Sequence, residues 1–109
     1  MRKKSPRAIS LDILNRIEET DRHADDLLND SFKRYRYLTP LDRAFLTELV
    51  YGVLRWREKL DWVIHHFSKV PFKKIESELL NILRLGLYQI FFLTRTPASA
   101  AVNESVELA

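Results

Sequence analysis

Apolar positions along this 109-residue chain recur at three- and four-residue spacing almost throughout, and no run alternates with period two for long enough to be a strand. Ser5 followed by Pro6 supplies an N-cap and a first helical residue, after which Ile9, Ile13, Leu14 and Ile17 share the face of a helix of about three turns. Beyond the polar connector EETDRHAD, the positions Ala24, Leu27, Leu28, Ser31, Phe32 and Tyr35 mark a second amphipathic helix. The strongest start signal is Thr39-Pro40-Leu41-Asp42, with Thr39 as N-cap, Pro40 as first residue and Asp42 as the acid of a capping box. Leu41, Phe45, Leu49 and Val53 make the main stripe of this third helix, and Leu46, Val50 and Leu54 widen it. Such a helix suits the middle of a bundle. Gly52 lies inside it at a cost of about 1 kcal/mol against Ala, which predicts that another helix crosses closely there.

Leu60, Val63, Ile64 and Phe67 form a fourth stripe that ends before Pro71. ELLNILRLGLYQIFFL is apolar almost all round, with Arg84 and Gln89 as exceptions, and reads as a central buried helix broken near Pro97. Val102, Val106 and Ala109 then stand at i, i+4 and i+7, so a sixth helix is expected to start after Ser99. No glycine, proline or basic last turn stops it, and one more helix is expected beyond Ala109. The expected fold is an all-α bundle of about six helices with its final helix missing. If that helix covers Phe45, Leu49 and Val53 or their neighbours, the chain presents apolar surface and self-associates or is marginally stable.

Composition narrows the chemistry. Two glycines and four prolines are too few for a turn-rich β protein, and 46% apolar with 30% charged residues is an ordinary globular balance. The absence of cysteine excludes disulfides, thiolate metal sites and thiol nucleophiles, and suits a reducing cytoplasm. MRKKSPRAIS lacks the apolar segment of a signal peptide, and LGLYQIFFL is too short to cross a bilayer. With glycine only at 52 and 86, neither a glycine-rich phosphate loop nor a dinucleotide or methyl-donor site of Rossmann type is available. Asp61 and His65 are one helical turn apart, but a third metal ligand at usable spacing is missing. No serine stands in a strand-turn-helix elbow. The expectation is a chain with no catalytic residue, cofactor or metal of its own.

Net charge is +3, and the cations fall in clusters. Arg2, Lys3, Lys4 and Arg7 crowd the positive end of the first helix, where cations are disfavoured by about 0.3–1 kcal/mol each. Either they form a solvated tail or they serve an anionic partner, and helix N-termini already favour phosphate. Lys33, Arg34 and Arg36 close a helix that Asp25, Asp26 and Asp30 open, which the dipole alone rewards. Asp26, Asp30 and Arg34 also stand at successive i+4 steps, so a solvated helix end is preferred to RNA contact. Arg55 and Arg57 flank Trp56, with Lys59 following, a pattern that can stack on a splayed base. Packing of Trp56 against the bundle is the preferred reading, and Trp62 is expected to be partly buried.

The residues Asp42-Arg43, Tyr51-Gly52-Val53-Leu54-Arg55, Leu60-Asp61-Trp62-Val63-Ile64, Leu83-Arg84-Leu85-Gly86-Leu87-Tyr88-Gln89 and Asn103-Glu104-Ser105-Val106-Glu107-Leu108-Ala109, in that order, resemble the NusB family. Within it, the chain is most similar to the N-terminal domain of bacterial small-subunit rRNA cytosine-5 methyltransferases of the RsmB (Sun/Fmu) type. Gln89 stands where free-standing antitermination factors tend to carry Glu, and Arg7 is followed by Ala8, Ile9 and Ser10 instead of a denser arginine run. LTRTPASAAVNESVELA also looks like the enzyme's version of its loop and helix. The resemblance implies a non-catalytic RNA-binding or positioning module. Its partners would be small-subunit ribosomal RNA and its own C-terminal catalytic domain, which would bind S-adenosylmethionine. In relatives RNA meets the N-terminal basic segment, which maps onto Arg2, Lys3, Lys4 and Arg7. Two alternatives are a free-standing antitermination factor with a ribosomal-protein partner, and a protein-docking domain that binds RNA weakly. Arg84 reads as a structural ion-pair partner, with Glu104 or Glu107 as the acceptor.

Overall fold

The computed structural model describes residues 3–93, and among them the chain forms five α-helices and no strand. They are α1 (Pro6–Glu19), α2 (Ala24–Arg34), α3 (Pro40–Arg55), α4 (Arg57–Phe67) and α5 (Ser77–Phe92), with a 3₁₀ turn at Phe72–Lys74 before α5. The sixth helix expected after Ser99, and with it Glu104 and Glu107, lies outside the described residues. Helix starts follow the local chemistry. The Ser5 hydroxyl accepts from the Ala8 N–H at 3.1 Å. Thr39 and Asp42 form the reciprocal capping box, with Asp42 N–H donating to Thr39 Oγ1 and Thr39 N–H to the Asp42 carboxylate, both at 3.1 Å.

The chain divides into two compact units, residues 1–51 and 52–109, with the boundary inside α3. In the first unit α1 packs on α2. Ile9, Ile13 and Leu14 of α1 and Leu27 and Leu28 of α2 are buried, as are Leu46, Leu49 and Val50 of α3. Each such side chain contributes about 1.5–3 kcal/mol relative to remaining exposed. Leu41, read as part of the α3 stripe, is 83% exposed instead. Each i+4 step turns the helix by about 40°, so a row drawn back from Leu49 through Phe45 to Leu41 winds off the buried face. Burial follows Leu46, Leu49, Val50 and Val53. Leu49 and Val53 are fully buried.

In the second unit α4 packs on α5. Leu60 and Ile64 of α4 are buried, together with Leu80, Ile82, Leu85 and Tyr88 of α5. Gly52 supplies the close approach its position predicts: a Cβ built on it would lie 2.1 Å from Tyr88 Cζ. The helix break expected near Pro97 comes earlier, with Leu93 as the C-cap of α5. Gln89, buried in that helix, donates from Nε2 to the Leu85 carbonyl at 3.2 Å. Two aromatic residues depart from expectation. Trp62 is 64% exposed because two residues turn a helix by about 200°, which sets it opposite Leu60 and Ile64; its ring lies flat on His66 at 5.3 Å. Phe67, the last residue of α4, is 77% exposed and meets His66 edge-on. The large apolar residues exposed on α5 are Leu79, Leu83 and Phe91.

Candidate nucleic-acid interface

The N-terminal cations rest on aromatic side chains of the first unit. The Lys3 ammonium stands 5.2 Å from the centroid of the Tyr37 ring, and the Tyr37 hydroxyl donates to the Lys4 carbonyl at 2.8 Å. Tyr37 meets Tyr35 edge-on at 6.0 Å, and the Arg34 guanidinium lies 5.4 Å from the Tyr35 centroid. Lys3, Tyr37, Tyr35 and Arg34 therefore form one continuous ladder. It joins two basic clusters that lie about thirty residues apart in the chain. The segment before α1 is held by the Tyr37 hydroxyl at the Lys4 carbonyl, while Lys3 and Lys4 themselves stay exposed.

Charge along this strip is only partly neutralised. Lys4 pairs with Asp12, and the hydrogen bond that the ammonium donates to that carboxylate, opposed by some desolvation, holds it above the ordinary lysine value. Asp30 pairs with Arg22 and not with Arg34, contrary to the i+4 reading, which leaves Arg34 to the tyrosine ring. A cleft of about 320 Å³ between α1 and α2 runs beside the ladder, with Arg16 and Arg34 on its walls. Arg7 is half-buried over the Phe45 ring at 5.1 Å. Arg2 lies outside the described residues. Cations over aromatic rings keep their charge while their planes or stems are fixed, which suits contact with phosphate and stacked base.

Arg55 and Arg57 belong to the second unit. Arg57 Nε stands 4.0 Å from Asp61, and Trp56 lies on Phe92 with centroids 4.8 Å apart. The Lys59 ammonium stands 5.7 Å from the Trp56 centroid. Trp56 thus stacks on Phe92 while remaining 37% exposed. Arg84, buried to 2% exposure, donates to both oxygens of Asp61, Nε at 2.6 Å and Nη2 at 2.9 Å, and to Asn81 Oδ1 from Nη1 at 3.0 Å. Among the described residues its carboxylate acceptor is Asp61, which α4 lays against α5; the expected partners Glu104 and Glu107 lie outside the described residues. The pairing also commits the carboxylate once weighed as a metal ligand, and no group of three metal-ligating side chains occurs among the described residues.

Sequence reasoning passed over Tyr37, Arg16 and Arg43. The alternation Lys33-Arg34-Tyr35-Arg36-Tyr37 carries the signal for the first of these, because basic residues interleaved with aromatic ones mark a nucleic-acid surface more specifically than cations alone.

Fold and comparison agree on the class, an all-α domain. The chain belongs to the NusB family, whose model matches residues 4–109. It is 41% identical over 105 residues to a probable ribosomal RNA small subunit methyltransferase B of Synechocystis sp., covering 96% of this chain and 23% of that protein. It is 37% identical to a protein of the same description from Bacillus subtilis strain 168, covering all of this chain and 24% of the relative. The transcription antitermination protein NusB of Acetivibrio thermocellus is 30% identical over 110 residues, which is 75% of its length. The chain thus spans about a quarter of the two methyltransferase relatives. No solved structure matches it significantly. No helix among the described residues is long and apolar enough to cross a membrane.

Proposed function

We propose that this chain is the RNA-binding domain of a cytoplasmic small-subunit rRNA cytosine-5 methyltransferase, holding ribosomal RNA for a catalytic domain that follows it. The observation that carries the reading is the ladder Lys3–Tyr37–Tyr35–Arg34, which gathers cations and aromatic faces from two parts of the sequence into one strip. The two relatives described as rRNA methyltransferases support the assignment of the RNA. Carbon-5 methylation of cytosine needs a thiolate to add to the ring, and this chain has no cysteine. With glycine only at 52 and 86, the chain offers no glycine-rich loop for S-adenosylmethionine either. Both chemistries are assigned to the catalytic domain, and this chain contributes binding and position.

The test is a direct titration of the chain with single-stranded and hairpin RNA fragments at several salt concentrations. Neutralising Lys3 and Arg34 together is expected to weaken binding and to flatten its logarithmic salt dependence, by about 0.7 for each phosphate of a single strand that is no longer neutralised. Unchanged affinity and slope would remove RNA binding from this strip. A second reading, a free-standing antitermination factor, is favoured by the relative of which the chain covers 75%. The mass of the natural product separates them: several times 109 residues for the methyltransferase, slightly more than this chain for the factor.

A further inference from the structure

Beside the ladder, but on another face of α2, a groove of about 590 Å³ is lined by Asn29, Phe32, Lys33, Arg36 and Arg43. The first four stand at i, i+3, i+4 and i+7, so α2 and the turn after it present them together, and Arg43 reaches in from the start of α3. We propose that this groove holds one nucleotide of single-stranded RNA, its phosphate on Lys33 and Arg36 and its base stacked on the guanidinium of Arg43. The proposal rests on the RNA-binding reading and extends it to a site of its own.

Three observations carry it. No carboxylate lines the groove, and Lys33, Arg36 and Arg43 make no ion pair with any described residue, so three positive charges face one space uncompensated. Arg43 is already set over the Phe32 ring, 5.5 Å from its centroid. A guanidinium fixed over an aromatic ring can offer its other flat face to a base at little further entropic cost. Finally, the volume falls in the range of small-ligand sites, and Asn29 adds a side-chain amide able both to donate and to accept at a base edge. An acidic protein surface would meet the cations equally well and pair with the edge of the Arg43 guanidinium, but it would leave the face away from Phe32 unoccupied, which favours a nucleotide.

The experiment titrates the full chain with a mixed-sequence single-stranded RNA and with a duplex of the same length. The variants are Lys33→Ala/Arg36→Ala, Arg43→Ala and Arg43→Lys, with Lys3→Ala/Arg34→Ala for the ladder. Lys33 and Arg36 are exposed, so that pair reports on the groove even if Arg43→Ala unfolds. Single-strand affinity is expected to fall about tenfold in Lys33→Ala/Arg36→Ala and in Arg43→Ala, reducing the preference over duplex. Arg43→Lys is expected to restore the salt slope but not the affinity, since it keeps the charge and loses the plane. A 4-thiouridine-substituted strand is expected to crosslink to peptides containing Phe32 or Arg43. If the wild type binds RNA, the ladder variant loses it and the groove variants do not, the groove is overturned while RNA binding stands. If the wild type binds no RNA at low salt, both fall. Binding of polyglutamate with the same dependence on Arg43 as RNA would overturn the nucleotide in favour of an acidic protein partner.

Discussion

Arg84 of α5 and Asp61 of α4 are joined by two parallel hydrogen bonds at 2.6 and 2.9 Å, with the guanidinium almost wholly buried and the carboxylate partly open to solvent. The pair ties together the two helices that dominate the second unit, and Asn81 takes a third N–H of the arginine. Removing the acid takes both of these charge-assisted hydrogen bonds from a buried cation. Asp61→Ala is expected to destabilise the chain by about 3 kcal/mol, read from urea unfolding monitored by circular dichroism. Arg84→Met, which removes the charge instead of orphaning it, is expected to cost less, and the reverse order would refute a primarily electrostatic role for the pair.

Gly52 poses the opposite problem, a residue kept small against its helix propensity. In an isolated peptide of α3, Gly52→Ala would favour the helix by about 1 kcal/mol. In the folded chain the added methyl meets the Tyr88 ring, which is itself stacked on Phe92 at 5.2 Å and cannot easily withdraw. Gly52→Ala is expected to lower stability by about 1–3 kcal/mol. Combining it with Tyr88→Leu should recover part of the loss relative to the sum of the two single changes, a coupling that a double-mutant cycle measures directly.

The all-helical fold was readable because its signals are local. The Ser5 and Thr39 caps, the prolines at helix starts and the three-and-four spacing of apolar residues all act within one or two turns. What the sequence did not show depends on pairing across helices. Asp61 and Arg84 are 23 residues apart, and nothing in their spacing says that α4 sets one against the other. The interface behaved likewise. Lys3 and Arg34 were visible as two clusters with competing bland explanations, and only the fold places Tyr37 and Tyr35 between them. Leu41 and Trp62 failed for a geometric reason, since adjacency or a drifting i+4 row does not fix a helix face.

The Lys4–Asp12 pair makes stability depend on pH in the alkaline range. Hydrogen bonding to the carboxylate raises the Lys4 value in the folded chain, so protons bind more tightly there than in the unfolded chain. Its contribution is complete below the unfolded lysine value of about 10.4 and is lost as pH rises through the folded one. Both groups are about half exposed, so screening keeps the effect small. Thermal melts of the wild type and Asp12→Asn are expected to differ slightly between about pH 7 and 9 and to converge as pH climbs above about 10.4. A gap that widens with pH would contradict the assignment.

Tyr37 has two separable functions, and their separation tests whether the ladder or the anchored backbone matters for binding. Its ring supports the Lys3 ammonium, while its hydroxyl holds the Lys4 carbonyl. Tyr37→Phe removes the hydrogen bond alone. The site is exposed to water that can replace the donor, so the stability loss should lie near the low end of about 0.5–1.5 kcal/mol. Tyr37→Ala also removes the stacking surface and the link to Tyr35, which is expected to reduce RNA affinity by roughly tenfold, since one aromatic platform is worth about 1–3 kcal/mol per base. If the ring is what binds, Tyr37→Phe retains most of the affinity that Tyr37→Ala loses. If the two variants lose affinity equally, the hydroxyl acts by holding the N-terminal cations in place, and the aromatic face does not touch RNA. Parallel measurement of helicity and of salt slope in both variants distinguishes these outcomes from simple unfolding.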